Sequence, residues 1–88
     1  MKIKNGFVLR TVGGQSVVVP IGEMSKNFQG MINLNSTGAY LWDFFSQEHT
    51  KEEAVDKMLT EFDAPKDLIA GEVDKFIKVL EKHGFWEV

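Results

Sequence analysis

The stretch that decides the fold is "GMINLNSTGAYLWDFF", residues 30–45. It opens with an apolar pattern free of charge and proline, Met31 to Leu34, which predicts a short β-strand. Residues 35–37 are Asn, Ser and Thr, whose side chains cap helix N-termini. We therefore expect a helix that begins near residue 36. Its apolar face repeats at i, i+3, i+4 and i+7, with Gly38, Leu41, Trp42 and Phe45.

A β-hairpin is predicted before this stretch, in "FVLRTVGGQSVVVP", residues 7–20. Two β-branched runs flank Gly13-Gly14, and glycine permits the positive φ angles of a two-residue turn. With Val12 and Gln15 on either side of the turn, one face of the hairpin pairs Leu9 with Val18, and the other carries Val8, Val19, Arg10 and Val17. Neither face is polar throughout. We expect helices to cover one face, while the other is either a solvent face with some exposed valines or a second covered surface such as a dimer contact.

Two further helices are predicted downstream. Thr50 and Glu53 form a capping box, which begins a helix over about 51 to 62. Pro65 fits the first turn of a third helix, and Gly84 fits its C-terminal cap. The closing residues, 85–88, are expected to fold back onto the helices. The apolar stripe of the third helix is wider than packing on one small core requires: Ile69, Val73, Phe76, Ile77 and Leu80.

The strand at 31–34 is expected to join the hairpin, because a lone strand leaves its main-chain groups unpaired. The order is then β-β-β-α-α-α, an α+β fold with a three-stranded antiparallel sheet followed by three helices. With 88 residues and no linker or internal repeat, we expect a single domain over 1–88.

The composition excludes several kinds of chemistry. The chain has no cysteine, which rules out disulfides, thiolate metal sites and a cysteine nucleophile. His49 and His83 lie far apart, and neither has a second ligand at metal-binding spacing. Neither a glycine-rich phosphate loop nor a serine nucleophile motif is present. We therefore expect a protein that is not an enzyme and that uses no cofactor and no metal ion.

The charge and hydropathy of the chain argue against nucleic-acid and membrane partners. The net charge is −3, and acidic and basic residues are spread along the chain, unlike the basic footprint of a nucleic-acid binder. No apolar run approaches the ~20 residues that span a bilayer. The start, "MKIKNGFVLR", lacks the apolar core of a secretion signal, so a cytoplasmic location is expected.

The unusual feature is the unguarded third strand. Proteins blunt an exposed strand edge with lysine, proline or a bulge, because unpaired N–H and C=O groups invite another chain to pair. Residues 31–34 carry none of these. We therefore expect the free side of this strand to receive a peptide as a fourth strand, with the surplus apolar surface of the third helix offering pockets for its side chains. On this interpretation, Ile32→Pro blocks peptide binding.

The same segments resemble the family of the coenzyme PQQ synthesis protein D. The resemblance is carried by "FVLRTVGGQSVVVPIGE", "GMINLNSTGAYLWDFF", "TKEEAVDKMLTEFDAP" and "VDKFIKVLEKHGFWE", and "INLNSTGAYLW" is its most specific part. It implies a winged helix-turn-helix-like fold. It also implies a recognition element that binds the leader segment of a ribosomally made precursor peptide as an added strand and presents it to a modifying enzyme, often a radical SAM protein. The peptide site implied is Met31, Ile32, Asn33 and Leu34 of the strand with Ile69, Val73, Phe76 and Ile77 of the third helix.

Two other functions share parts of this pattern. A winged helix can bind DNA, but residues 65–83 balance basic and acidic side chains, whereas a recognition helix presents an excess of positive charge. A structural or dimerisation module would use the second face of the hairpin, and a homodimer is compatible with peptide binding. Lys75, Lys78 and Lys82 are interpreted either as solvated charges or as groups that steer an acidic leader.

Overall fold

The strands precede the helices along the chain, as the sequence predicts. The computed structural model describes residues 1–22, 26 and 32–87. Its strands are β1 (Phe7–Val12), β2 (Gln15–Pro20) and β3 (Ile32–Leu34), and the helices after β3 are α1 (Ser36–Phe44), α2 (Lys51–Glu61) and α3 (Lys66–Lys82). The fold is thus α+β and winged helix-turn-helix-like, and the predicted order β-β-β-α-α-α is confirmed.

The three strands form one antiparallel sheet with β2 in the middle. The hairpin register is the predicted one, with Val12 opposite Gln15. Gly13 and Gly14 have φ angles of +57° and +80°, the positive values of a type I′ turn that glycine adopts without strain. This turn fixes the register of β1 on β2, and β3 then pairs with the other side of β2.

Side-chain caps fix where the first two helices begin. Asn35 is the N-cap of α1, and its Oδ1 accepts a hydrogen bond from the Gly38 N–H at 2.7 Å. The predicted capping box starts α2: Thr50 Oγ1 accepts from the Glu53 N–H at 3.1 Å, and Glu53 Oε1 accepts from the Thr50 N–H at 2.8 Å. Each cap satisfies amides that the helix itself leaves without partners.

The start of α3 differs from the prediction by one residue, whereas its end agrees with it. Pro65 has extended backbone angles and is the N-cap, so the helix begins at Lys66 rather than at Pro65. Gly84 follows the helix with a φ of +72°, which confirms the predicted glycine cap. The helix is 17 residues long, or roughly 26 Å at the usual rise per residue.

The core lies between the inner face of the sheet and the three helices, so the predicted apolar stripes are core stripes. Phe45, Leu41, Val73 and Leu80 are completely buried. On the opposite face of the sheet, Val17 is also buried, although it does not belong to this cluster. The other buried members of the core cluster are Ile3, Val18, Trp42, Ala54, Val55, Met58, Ile69, Phe76 and Phe85.

The two ends of the chain pack beside each other against the helices. Ile3 and Trp86 form an antiparallel bridge, and the Lys4 N–H donates to the Phe85 carbonyl at 2.8 Å. Trp86 Nε1 donates to the carbonyl of Ile77 on α3 at 3.0 Å. Phe85 is buried and Trp86 is half-buried, which confirms the predicted fold-back for residues 85–87. Residue 88, the last of the predicted segment, lies outside the described residues.

Truncation of a core leucine on α3 should lower the free energy of unfolding far more than truncation of an exposed leucine. We expect Leu80→Ala to lower the free energy of unfolding by about 2–5 kcal/mol, because it removes buried methyl groups and leaves a cavity. Leu68→Ala is the matched control, since Leu68 lies on the same helix but is 57% exposed. Urea denaturation measures both, and similar losses would contradict the assigned core.

The capping box of α2 should make stability depend on acid pH. The hydrogen bond from the Thr50 N–H lowers the pKa of Glu53 below its ordinary value of 4.5, and nearby His49 lowers the pKa further. A carboxyl with a depressed pKa stabilises the fold above its unfolded pKa, and this contribution is lost as the pH falls through the folded pKa.

We therefore expect Glu53→Gln to flatten the fall in urea midpoint as the pH drops below 4.5. Glutamine can keep the hydrogen bond but does not titrate there. Glu52→Gln, in the same helical turn, is the control. If Glu53→Gln kept the wild-type pH profile while Glu52→Gln changed it, the assignment of the effect to Glu53 would be wrong.

Candidate functional site

β3 lies at an open edge of the sheet. The strand order is β1-β2-β3, so β3 has β2 on one side only. Within residues 1–22, 26 and 32–87, no segment pairs with its other side. Main-chain groups that point out of this edge are therefore open to another chain.

The hairpin turn determines which main-chain groups point out of that edge. In an antiparallel sheet, opposed residues alternate between pairs that exchange both hydrogen bonds and pairs that exchange none. Val12 and Gln15 close the two-residue turn and so form a hydrogen-bonded pair. By alternation along β2, Gln15 and Val17 direct their N–H and C=O groups toward β1, while Ser16 and Val18 direct theirs toward β3.

Asn33 is consequently the described residue of β3 whose main chain faces outward. It lies opposite Val17, whose groups point to β1, so the Asn33 N–H and C=O point away from the sheet. Its neighbours Ile32 and Leu34 direct their groups to β2 and hold the strand in place. The Asn33 side chain is exposed and shares the outer face of the sheet with Val17.

A groove of about 160 Å³ lies between this edge and α3. Its floor is apolar, and a Cβ added at Gly38 would lie 3.3 Å from the Leu34 side chain, so glycine allows α1 to approach β3 closely. The lining comes from β3, the beginning of α1 and one stripe of α3: Asn33, Leu34, Asn35, Thr37, Gly38, Leu41, Glu72, Lys75, Phe76 and Val79. We call this the β3–α3 groove.

α3 presents one face to the groove. Glu72, Lys75, Phe76 and Val79 recur at i, i+3, i+4 and i+7, which places them on one side of the helix. Val79 is 41% exposed, so an apolar surface is open to solvent here. Lys75 Nζ lies 3.9 Å from Glu72 Oε1, and because these side chains are solvated the pair contributes little to stability. The wall therefore combines apolar surface with one charge of each sign.

The strand residues of the predicted site lie at or beside the groove. Asn33 and Leu34 line it, with Asn33 exposed and Leu34 half-buried. Ile32 is half-buried and packs against the core from the inner face of the sheet. Met31 lies outside the described residues.

Only one of the predicted residues of α3 lines the groove. Phe76 does so while being largely buried. Ile69 and Val73 are 3% and 0% exposed and belong to the core. Ile77 packs on the core as well, and its carbonyl binds the Trp86 indole. Contact between any of these side chains and a peptide stays a prediction, but Ile69 and Val73 offer almost no surface for it.

Two residues of the groove wall, Glu72 and Val79, were not predicted as part of the site, because the expected helix contacts were those of the apolar stripe. Lys75 was considered only as a solvated charge or as a group that steers an acidic leader. A stripe that mixes charged and apolar residues at i, i+3, i+4 and i+7, adjacent to the core stripe of the same helix, is the signal that would have found them.

Across the described ranges, no three His, Asp or Glu side chains come together in a group able to hold a metal ion. None of the helices in that part of the chain combines the length and the hydropathy needed to cross a membrane.

Comparisons with known proteins agree with this architecture. The model of the family described as coenzyme PQQ synthesis protein D matches residues 11–85. The fold is similar to that of TbiB1 solved in complex with the TbiA(beta) leader peptide, with 18% sequence identity and a TM-score of 0.75. That match covers 99% of this chain and 95% of the other. The comparison with curated proteins found no match.

Proposed function

The chain belongs to the family of coenzyme PQQ synthesis protein D, and from this premise we propose that it is a non-catalytic adaptor that binds the leader segment of a ribosomally made precursor peptide. The leader adds to β3 as a fourth strand. The similar fold of TbiB1, which was solved with a leader peptide bound, supports the proposal. The adaptor changes no bond itself. It raises the effective concentration of the attached peptide at a modifying enzyme, and a radical SAM protein is the enzyme that the family resemblance favours.

The observation that carries the proposal is the outward main chain of Asn33. One N–H and one C=O at an otherwise open edge can exchange two hydrogen bonds with a single residue of an antiparallel guest strand. The guest then pairs with β3 without any change in the rest of the sheet. Strand addition of this kind uses only main-chain groups for pairing, so it sets where the peptide lies but not which peptide binds.

The β3–α3 groove supplies the selection. Side chains alternate along a strand, and opposed residues place theirs on the same face. The guest residue opposite Asn33 therefore points to the outer face, and its two neighbours point inward toward α3. There they meet the apolar floor around Leu34 and Phe76, so we expect apolar residues at these two positions of the leader. Lys75 and Glu72 lie at the rim of the groove, where they favour charged residues in the leader next to these two apolar positions.

A proline at Asn33 should abolish strand addition with little effect on the fold. Proline has no N–H, and at this position the missing donor is one that points out of the sheet. We expect Asn33→Pro to weaken binding of a peptide by about tenfold to a hundredfold, because the guest carbonyl loses its partner. Ile32→Pro is a poorer test than the sequence indicated, since the Ile32 amide faces β2 and its loss would damage the domain's own sheet.

The probe is a peptide selected for binding to the wild-type protein from a random peptide display library, and calorimetry gives the affinities. Asn33→Ala is the matched control, since it removes the same side chain and keeps the N–H. Equal affinities for Asn33→Pro and Asn33→Ala, with both variants folded by circular dichroism, would rule out strand addition at β3.

A charge placed on the groove wall should weaken binding through a different contact. We expect Val79→Glu to reduce the affinity for the same peptide by about tenfold, because the new carboxylate has to be desolvated against the apolar side chains of the guest. Thr60→Glu is the control, as Thr60 is a β-branched residue on the exposed face of α2. A loss that is the same for both variants would indicate a general charge effect and would remove α3 from the site.

A further inference from the structure

A second cavity adjoins the groove at the end of the sheet. It has a volume of about 380 Å³ and lies between the hairpin turn and the beginning of α1. Its polar side chains are those of Gln15, Ser16, Asn33, Asn35 and Ser36. All of these are neutral amides or hydroxyls, whereas the β3–α3 groove carries Glu72 and Lys75. We call this space the hairpin cavity.

The two cavities meet along the chain at the end of β3. Asn33, Leu34 and Asn35 line both of them. β3 ends at Leu34, and the chain turns into α1 at Ser36. A guest strand that runs past Leu34 therefore loses its main-chain partner, and its N–H and C=O groups would be costly to leave without hydrogen bonds. The amides and hydroxyls of the hairpin cavity are donors and acceptors at this point.

We infer that the leader path continues from the β3–α3 groove into the hairpin cavity, where neutral polar side chains hold the flank of the leader that extends beyond β3. The inference rests on the proposed function and adds a second subsite to it. The ligand of this subsite is an extended peptide segment recognised through hydrogen bonds to uncharged groups. Gln15 is its central contact, because it is exposed and is the longest of the neutral side chains that line the cavity.

The test removes the Gln15 amide and compares the affinity of the variant for the whole peptide and for shortened forms of it. The probe is again the peptide selected from the display library, used at full length and in two forms shortened at one end or the other. We expect Gln15→Ala to bind the full-length peptide about threefold to tenfold more weakly than wild type. The form that lacks the flank should bind Gln15→Ala and wild type equally, because the contact is already gone.

Gln47→Ala is the matched control, since Gln47 is an exposed glutamine in the turn after α1. It should bind all three peptides as the wild type does. Urea midpoints of each variant establish that the fold is unchanged. The shortened peptide whose binding no longer depends on Gln15 also shows the direction of the guest strand. In a guest antiparallel to β3 the N-terminal flank lies in the hairpin cavity, and in a parallel guest the C-terminal flank lies there.

Two outcomes would overturn the inference and spare the proposed function. One is an unchanged affinity of Gln15→Ala for the full-length peptide while Asn33→Pro still blocks binding. The other is an equal loss for all three peptides, which would mean that Gln15 acts on the sheet and not on the flank. A library that yields no peptide sensitive to Asn33→Pro would instead overturn the proposed function, and this inference with it.

Discussion

The two-residue turn at Gly13-Gly14 sets the direction of every main-chain hydrogen bond in the sheet. Because Val12 and Gln15 must exchange both of their hydrogen bonds to close it, alternate residues of β2 are committed to β1 or to β3. The hydrogen bond from the Ile21 N–H to the Gly6 carbonyl, at 2.8 Å, keeps the same alternation beyond the hairpin. If the turn took Gln15 as a third residue and closed on Ser16 instead, the alternation along β2 would reverse and the Asn33 amide would point into the sheet. The open edge thus depends on glycines that do not touch it.

The sequence predicts the fold well because its local signals agree with one another. The glycine pair, the Thr50 capping box and the Gly84 cap each fix a boundary within a few residues, and the structure has all three where expected. The start of α3 was predicted one residue too early, because Pro65 was expected in the first turn and is the N-cap.

The candidate site was harder to predict, for a physical reason. Apolar residues at helical spacing face either a core or a binding surface, and the pattern cannot separate the two. Ile69 and Val73 have the same character as Val79, yet they are buried while Val79 is open. What separates them is their angle around α3, which is set by the packing contacts that Ile69 and Val73 make in the core. Those are tertiary contacts, so they are absent from any local window of the sequence. The open strand edge was predictable because its signal, the lack of lysine and proline over residues 31–34, is local.

Among the described residues, β3 offers a guest strand the outward main chain of one residue, which limits what this pairing contributes to affinity. Two main-chain hydrogen bonds at Asn33 contribute about 0.5–1.5 kcal/mol each, whereas a micromolar complex requires about 8 kcal/mol. The remaining ~5–7 kcal/mol corresponds to roughly 200–280 Å² of apolar area at the usual coefficient, before the cost of association is met. One or two inward side chains of a guest can bury that much against α3. Under the proposed function, pairing at the edge would fix the register of the guest strand, and the groove would govern its affinity. Leader binding would then tolerate changes at most positions but not at the residues that face Phe76 and Val79.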